Sequence, residues 1–146
     1  MIPPVPMREG FPAILVVDDD VLVANTLRLQ LRRVLPPGWE VITALSGPEA
    51  LDHAQEHVAQ GGSIPLALVD YQMYPMKGSD LLLVLVERYP GLRTIMLTGQ
   101  ADMEAVNMVI NKVHLYRYMQ KPWDPQDLER TVLEAINEAE QASEQG

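Results

Sequence analysis

Three consecutive aspartates, Asp18, Asp19 and Asp20, follow one short apolar run, and a fourth, Asp70, closes another. Thr98-Gly99 closes a third run, and Lys121-Pro122 follows a fourth. Carboxylates crowded together repel, which raises their pKa values unless a cation compensates, and hard oxygen donors of this kind suit Mg2+ with part of its water shell retained. Beside such an ion one carboxylate can act as a nucleophile toward a phosphoryl group, while the metal and a lysine neutralise charge on the transferring oxygens. Lys121 supplies that lysine. The Thr98 hydroxyl can donate to a phosphoryl oxygen, and Gly99 has no side chain to block the approach of a donor or of water. Taken singly, each residue has a plainer reading. An aspartate after a strand is often a turn or N-cap residue, as Asp20 is for a helix beginning near Val21, and a lone lysine is usually solvated. Only the set as a whole carries the chemistry.

For the set to meet, the elements bearing it must bring the ends of those runs to one edge. Apolar runs at 13–17, 40–44, 66–69, 94–97 and 116–119 read as five strands, and segments of helical period separate them. The strands are nearly continuous in apolar residues rather than strictly alternating, as expected when helices cover both faces of a parallel sheet. The fold class is α/β, a doubly wound five-stranded parallel sheet of flavodoxin-like type, and in such sheets ligands bind beyond the carboxyl ends of the strands. Ser46-Gly-Pro-Glu49 is a capping box opening a helix with Leu51, Ala54 and Val58 on one face, and Asp124-Pro-Gln-Asp127 opens the last helix. His53 and His57 are four residues apart without a companion ligand, which reads as a helix surface rather than a metal site. The scattered methionines, Met73 and Met76 among them, read as packing residues.

With 146 residues and 47% hydrophobic content the chain can bury one core without staples. Residues 1–12 read as a flexible leader, 13–139 as the folded domain and 140–146 as a polar tail or the start of a linker. A net charge of -9 repels a nucleic-acid backbone or an anionic membrane surface, so no direct nucleic-acid binding is expected. The absence of cysteine excludes thiolate chemistry. No run has the length of a membrane span and no apolar signal core is present, so the expected location is the cytoplasm.

The motifs in order resemble the receiver domain of bacterial response regulators, over almost the whole core. Ile-Leu-Val-Val-Asp-Asp-Asp at 14–20 is similar to that family's first strand and acid pair, which implies that Asp18 and Asp19 are metal-site carboxylates. Leu-Val-Asp-Tyr-Gln-Met at 68–73, with Gly78 eight residues past Asp70, resembles the phosphoacceptor strand and its loop. The resemblance then implies that Asp70 is phosphorylated and that Gln72 lends its backbone carbonyl to Mg2+. Ile-Met-Leu-Thr-Gly at 95–99 implies that Thr98 is the switch hydroxyl. Tyr-Arg-Tyr-Met-Gln-Lys-Pro-Trp-Asp at 116–124 implies that Lys121 pairs with the phosphoryl group, that the Lys121-Pro122 bond is cis and that Tyr118 is a rotameric switch. One departure is Tyr74, at the place where the family loop usually has proline; proline follows at Pro75.

The resemblance implies a phosphoacceptor of a two-component phosphorelay, not a dedicated enzyme, that accepts a phosphoryl group from a histidine kinase or phosphotransfer protein, labels itself from small donors and slowly loses the group. The expected output face combines helix 102–113, strand 116–119 and helix 125–139, contacting a partner protein, an output domain or a second copy. The chain is either a stand-alone regulator or a piece of a longer protein. Two alternatives compete. A haloacid dehalogenase-type phosphatase also uses an aspartate nucleophile and Mg2+, but after Asp18-x-Asp20 its motif continues differently from Val21-Leu22, and there is no room for a capping domain. A phosphorylation-independent binding module usually has gaps in its acid pocket, and this pocket has none.

Overall fold

The computed structural model of the protein describes residues 11–99, 107 and 115–145. Five strands, β1 (Pro12–Val17), β2 (Glu40–Ala44), β3 (Ser63–Asp70), β4 (Arg93–Thr98) and β5 (Arg117–Gln120), form one sheet. The described helices are α1 (Val21–Val34), α2 (Gly47–Ala59), α3 (Gly78–Arg88) and α4 (Pro125–Gln145). The strand order is β2-β1-β3-β4-β5 and every pair is parallel, so the doubly wound sheet expected from the apolar runs is the fold observed. The chain winds outward from β1 first to β2 and then back to β3, which places the reversal of strand order, and hence the ligand crevice, between the ends of β1 and β3.

The sheet is buried on both faces because side chains alternate across it. Leu15, Val17, Ala67, Val69 and Met96 pack on one side with Leu81, Leu82 and Leu85 of α3 and Ala50 and Ala54 of α2. Ile14, Val16, Leu66, Leu68, Ile95 and Leu97 pack on the other with Leu27 and Leu31 of α1 and Leu128, Val132 and Ile136 of α4. Each fully buried Leu or Ile contributes about 1.5–3 kcal/mol of transfer free energy, so these two layers hold the strand ends in place. Asp20 caps α1 by accepting from the Leu22 amide at 2.9 Å. Ser46 caps α2 by accepting from the Glu49 amide at 3.2 Å, and Glu49 Oε2 accepts from the Leu45 amide at 3.3 Å.

Several details differ from the sequence expectations. β3 begins at Ser63, three residues earlier than its apolar run, and contains Pro65. A proline cannot donate to a ladder, and accordingly the register of β3 against β1 shifts in this stretch and its pairing with β4 starts only at Leu66. The buried face of α2 is Gly47, Ala50, Ala54 and His57, while Val58 is exposed. His57 is thus not a surface residue: its Nε2 lies 2.9 Å from the Phe11 carbonyl and 3.2 Å from that of Ser63, close against Gly62. Two carbonyls at the amino ends of β1 and β3 satisfy its ring, which makes burial tolerable. Phe11 also accepts from the Ser63 amide at 2.9 Å, so Phe11 and Pro12 of the expected leader belong to the fold; residues 1–10 lie outside the described residues. At the other end α4 continues past Ala139 through Gln145, a stretch rich in the helix formers Glu, Gln and Ala. The expected helix 102–113 lies outside the described residues except Asn107. Among the described residues no helix is long and apolar enough to cross a membrane.

Candidate functional site

β1 delivers Asp18 and Asp19 directly after Val17. Asp18 is fully buried; its amide donates to the Ala44 carbonyl at 3.1 Å, and its Oδ1 accepts from the Asp20 amide at 2.9 Å. Asp19 is exposed. β3 delivers Asp70, 4% exposed, across the crevice. The strand beyond it is clamped, because the Tyr71 amide donates to the Leu97 carbonyl at 2.8 Å and the Gly78 amide to the Tyr71 carbonyl at 3.1 Å. Gly78 opens α3 against the Asp70 backbone: a Cβ there would lie 2.0 Å from the Asp70 carbonyl oxygen, so only glycine permits this approach.

β5 feeds a turn that aims Lys121 back at the crevice. The Lys121 amide donates to the Thr98 carbonyl at 2.8 Å, the Lys121-Pro122 bond is cis, and Trp123 Nε1 donates to Gln30 Oε1 of α1 at 3.1 Å. The lysine ammonium reaches Asp18 Oδ2 at 2.8 Å and Asp70 Oδ1 at 3.0 Å, bridging the ends of β1 and β3. Thr98 is fully buried at the end of β4, its hydroxyl donating to the Gly99 carbonyl at 2.9 Å. Tyr118 lies on β5 opposite Met96 and is 42% exposed. Gln72 stands in the loop after β3, where the Tyr74-Pro75 bond is also cis.

Asp18, Asp19 and Asp70 each present a carboxylate oxygen within 4.8 Å of the others, an all-oxygen group of the kind that holds a hard divalent cation. One ammonium among three carboxylates leaves excess negative charge. Burial is the main reason that the Asp70 carboxyl is pushed up to about 6; the Lys121 hydrogen bond pulls it down, and the charges of Asp18 and Asp19 push it up. Burial also works against the Lys121 ammonium, but hydrogen bonds to Asp18 and Asp70 outweigh it and hold its pKa above the usual lysine value. A cation placed among the three carboxylates would relieve both the repulsion and the desolvation, so the residues present fit a divalent metal.

The structure therefore brings Asp18, Asp19, Asp70 and Lys121 into one group, with Thr98 buried at the same edge. Two residues that bear on this edge were not singled out from sequence, Gly47 and Met76. Gly47 could be read only as part of a capping box and Met76 only as packing, since nothing in either local pattern shows that they touch.

The family model described as the response regulator receiver domain matches residues 14–133. The hydrogenase transcriptional regulatory protein HoxA of Cupriavidus necator is 30% identical over 130 residues, which is 89% of this chain and 25% of that protein. Its namesake from Bradyrhizobium diazoefficiens is 31% identical over 84% of this chain and 24% of that protein. The chain thus spans about a quarter of the length of these curated relatives. A response regulator receiver domain protein from Clostridium thermocellum superposes with a TM-score of 0.78 at 28% identity, covering 90% of this chain and 98% of that one. A parallel five-stranded sheet, an acid cluster at its topological switch point and these likenesses agree. The chain belongs to the response regulator receiver domain family, the signalling modules of two-component systems.

Proposed function

We propose that Asp70 is the phosphoacceptor of this receiver, that Asp18, Asp19 and the backbone carbonyl of Gln72 hold Mg2+ beside it, and that Lys121 and Thr98 bind the transferred group. The observation that carries this reading is the Lys121 ammonium lodged between Asp18 and Asp70, at 2.8 and 3.0 Å, beside a carboxylate group suited to a divalent cation. A carboxylate oxygen of Asp70 attacks the phosphorus of a phosphohistidine on a histidine kinase or phosphotransfer protein. The phosphorus–nitrogen bond breaks, and the departing imidazole keeps the bonding pair and takes a proton from solvent. Bound Mg2+ supplies neutralisation of charge on the phosphoryl oxygens. Lys121, already charged and within reach, turns one hydrogen bond from Asp70 to the incoming group, and Thr98 donates its hydroxyl to another oxygen. The same arrangement accepts a phosphoryl group from a small donor and loses it slowly to water.

Output then passes through a surface that includes β5 and α4, toward a partner protein, a further domain or a second copy, in the cytoplasm. The purified protein treated with Mg2+ and acetyl phosphate is expected to gain one phosphoryl group, read by intact mass and placed on Asp70 by peptide mapping. Asp70→Asn is expected to gain none. Undiminished labelling of that variant, or a wild-type label on Asp18, would reject the assignment.

A further inference from the structure

The loop that follows Asp70 carries Gln72, and it must be held still if it is to serve a metal. Three points pin it. Met73 is buried in the core beneath α2 and α3, and Gly78 lies on the Asp70 carbonyl. Between them Tyr74 and Pro75 are exposed, and the third point is Met76, part-buried and laid across Gly47. A methyl group on Gly47 would sit 2.6 Å from Met76 Sδ, 3.0 Å from its Cβ and 3.1 Å from its Cγ. Cβ cannot move aside without the loop backbone, whereas Cγ and Sδ can swing away only by a change of rotamer, so the start of α2 and the loop backbone are spaced by the Met76 side chain.

Gly47 is itself a fixed point. It opens α2 one residue after the cap Ser46, and Glu49 ties back to the Leu45 amide. Ala44, just before this turn, accepts the hydrogen bond from the Asp18 amide at 3.1 Å. The β2–α2 turn therefore touches both halves of the acid group, Asp18 through Ala44 and the segment after Asp70 through Gly47 and Met76. We propose that Gly47 and Met76 are a positioning pair: Gly47, by lacking a side chain, seats Met76 so that the loop after Asp70 keeps the spacing between Gln72 and the carboxylates of Asp18 and Asp70. This deepens the Mg2+-dependent phosphoacceptor reading and rests on it.

The test is a double-mutant cycle read by calorimetric titration with Mg2+ and by the initial rate of labelling from acetyl phosphate. Gly47→Ala is expected to weaken Mg2+ binding about ten-fold, the scale of losses from groups that orient metal ligands, and to slow labelling while Asp70 remains the residue labelled. In a Met76→Ala background the same Gly47→Ala change is expected to cost clearly less, because Sδ and Cγ are gone and only the Cβ contact at 3.0 Å remains. A Gly47 needed only for the backbone of α2 would give the same penalty in both backgrounds, and that result overturns the proposal. Unchanged Mg2+ affinity in Gly47→Ala overturns it as well. Should Gly47→Ala not fold alone, Met76→Ala decides: Mg2+ binding weakened to a similar degree supports the pair, and unaltered binding refutes it. Mg2+ affinity is measured without phosphorylation, so a wild-type protein that binds Mg2+ but is not labelled on Asp70 refutes the acceptor assignment and leaves the pair standing on its own measurement.

Discussion

Asp70 is held where its ionised form is disfavoured, and that sets a pH signature for the metal-free protein. Its carboxyl titrates at about 6 in the fold, against an ordinary value of 3.8, chiefly because it is buried. Between those values the folded state binds more protons than the unfolded one, so stability contributed at this site is present below about 4 and is lost as pH rises through about 6. Asn cannot ionise and keeps the shape. In EDTA, the melting temperature of Asp70→Asn relative to wild type is therefore expected to climb between pH 4 and pH 7 and then level off. A difference that stays flat over that range would show that Asp70 is not destabilised by its charge. The residues of this effect were all visible in the sequence, since acids at strand ends and a lone lysine after β5 can be read directly. Their distances could not be, because nothing local relates Lys121 to Asp18, more than a hundred positions away.

At the scale of an element, α3 begins in contact with the strand that carries Asp70. A Cβ on Gly78 would strike the Asp70 carbonyl oxygen at 2.0 Å and the Asp70 carbonyl carbon at 2.9 Å, both backbone atoms that have no free rotation to offer. Gly78→Ala is expected to destabilise the fold by about 1–3 kcal/mol, the usual cost of overpacking. The accompanying shift at the end of β3 should also slow acetyl phosphate labelling. Chemical denaturation measures the first and mass spectrometry the second. Stability within error of wild type would mean that α3 moves away freely. Gly78 was noticed in sequence only through its spacing from Asp70. Its physical reason, the closeness of a helix start to a strand end, belongs to the packing of α3. The burial of His57 is a comparable case: i, i+4 spacing with His53 suggested a solvent face, but β1 and β3 start just where the helix turns it inward.

At the scale of the whole molecule, the phosphoryl group proposed for Asp70 would have to be felt at a surface for the protein to signal. The connection available runs along β4 and β5: Thr98 ends β4, its carbonyl accepts from the Lys121 amide, and Tyr118 lies on β5 two residues before Gln120, the register partner of Thr98. A ligand shifts such an equilibrium only through contacts that differ between its states, so deleting the Thr98 hydroxyl should uncouple the switch without preventing phosphorylation. Thr98→Ala is accordingly expected to be labelled on Asp70. It should fail to reproduce the NMR shift change at Tyr118 that beryllofluoride induces in wild type. A full wild-type response at Tyr118 in the variant would remove Thr98 from the route.

The sequence by itself determined the α/β class, the parallel sheet and the acids, threonine and lysine at its carboxyl edge. Apolar period and helix caps are local properties, and a parallel sheet has only one edge at which its strand ends can gather. It also located β2 to the residue, because Gly38 and Ser46 bracket that run. Tertiary structure alone decided the rest: that Pro65 shifts the β3 register, that His57 is buried, that Lys121 bridges two carboxylates, and that Met76 rests on Gly47. Each of these is a contact between segments distant in sequence, and whether such a contact forms depends on the distances set by packing rather than on any local pattern of residues.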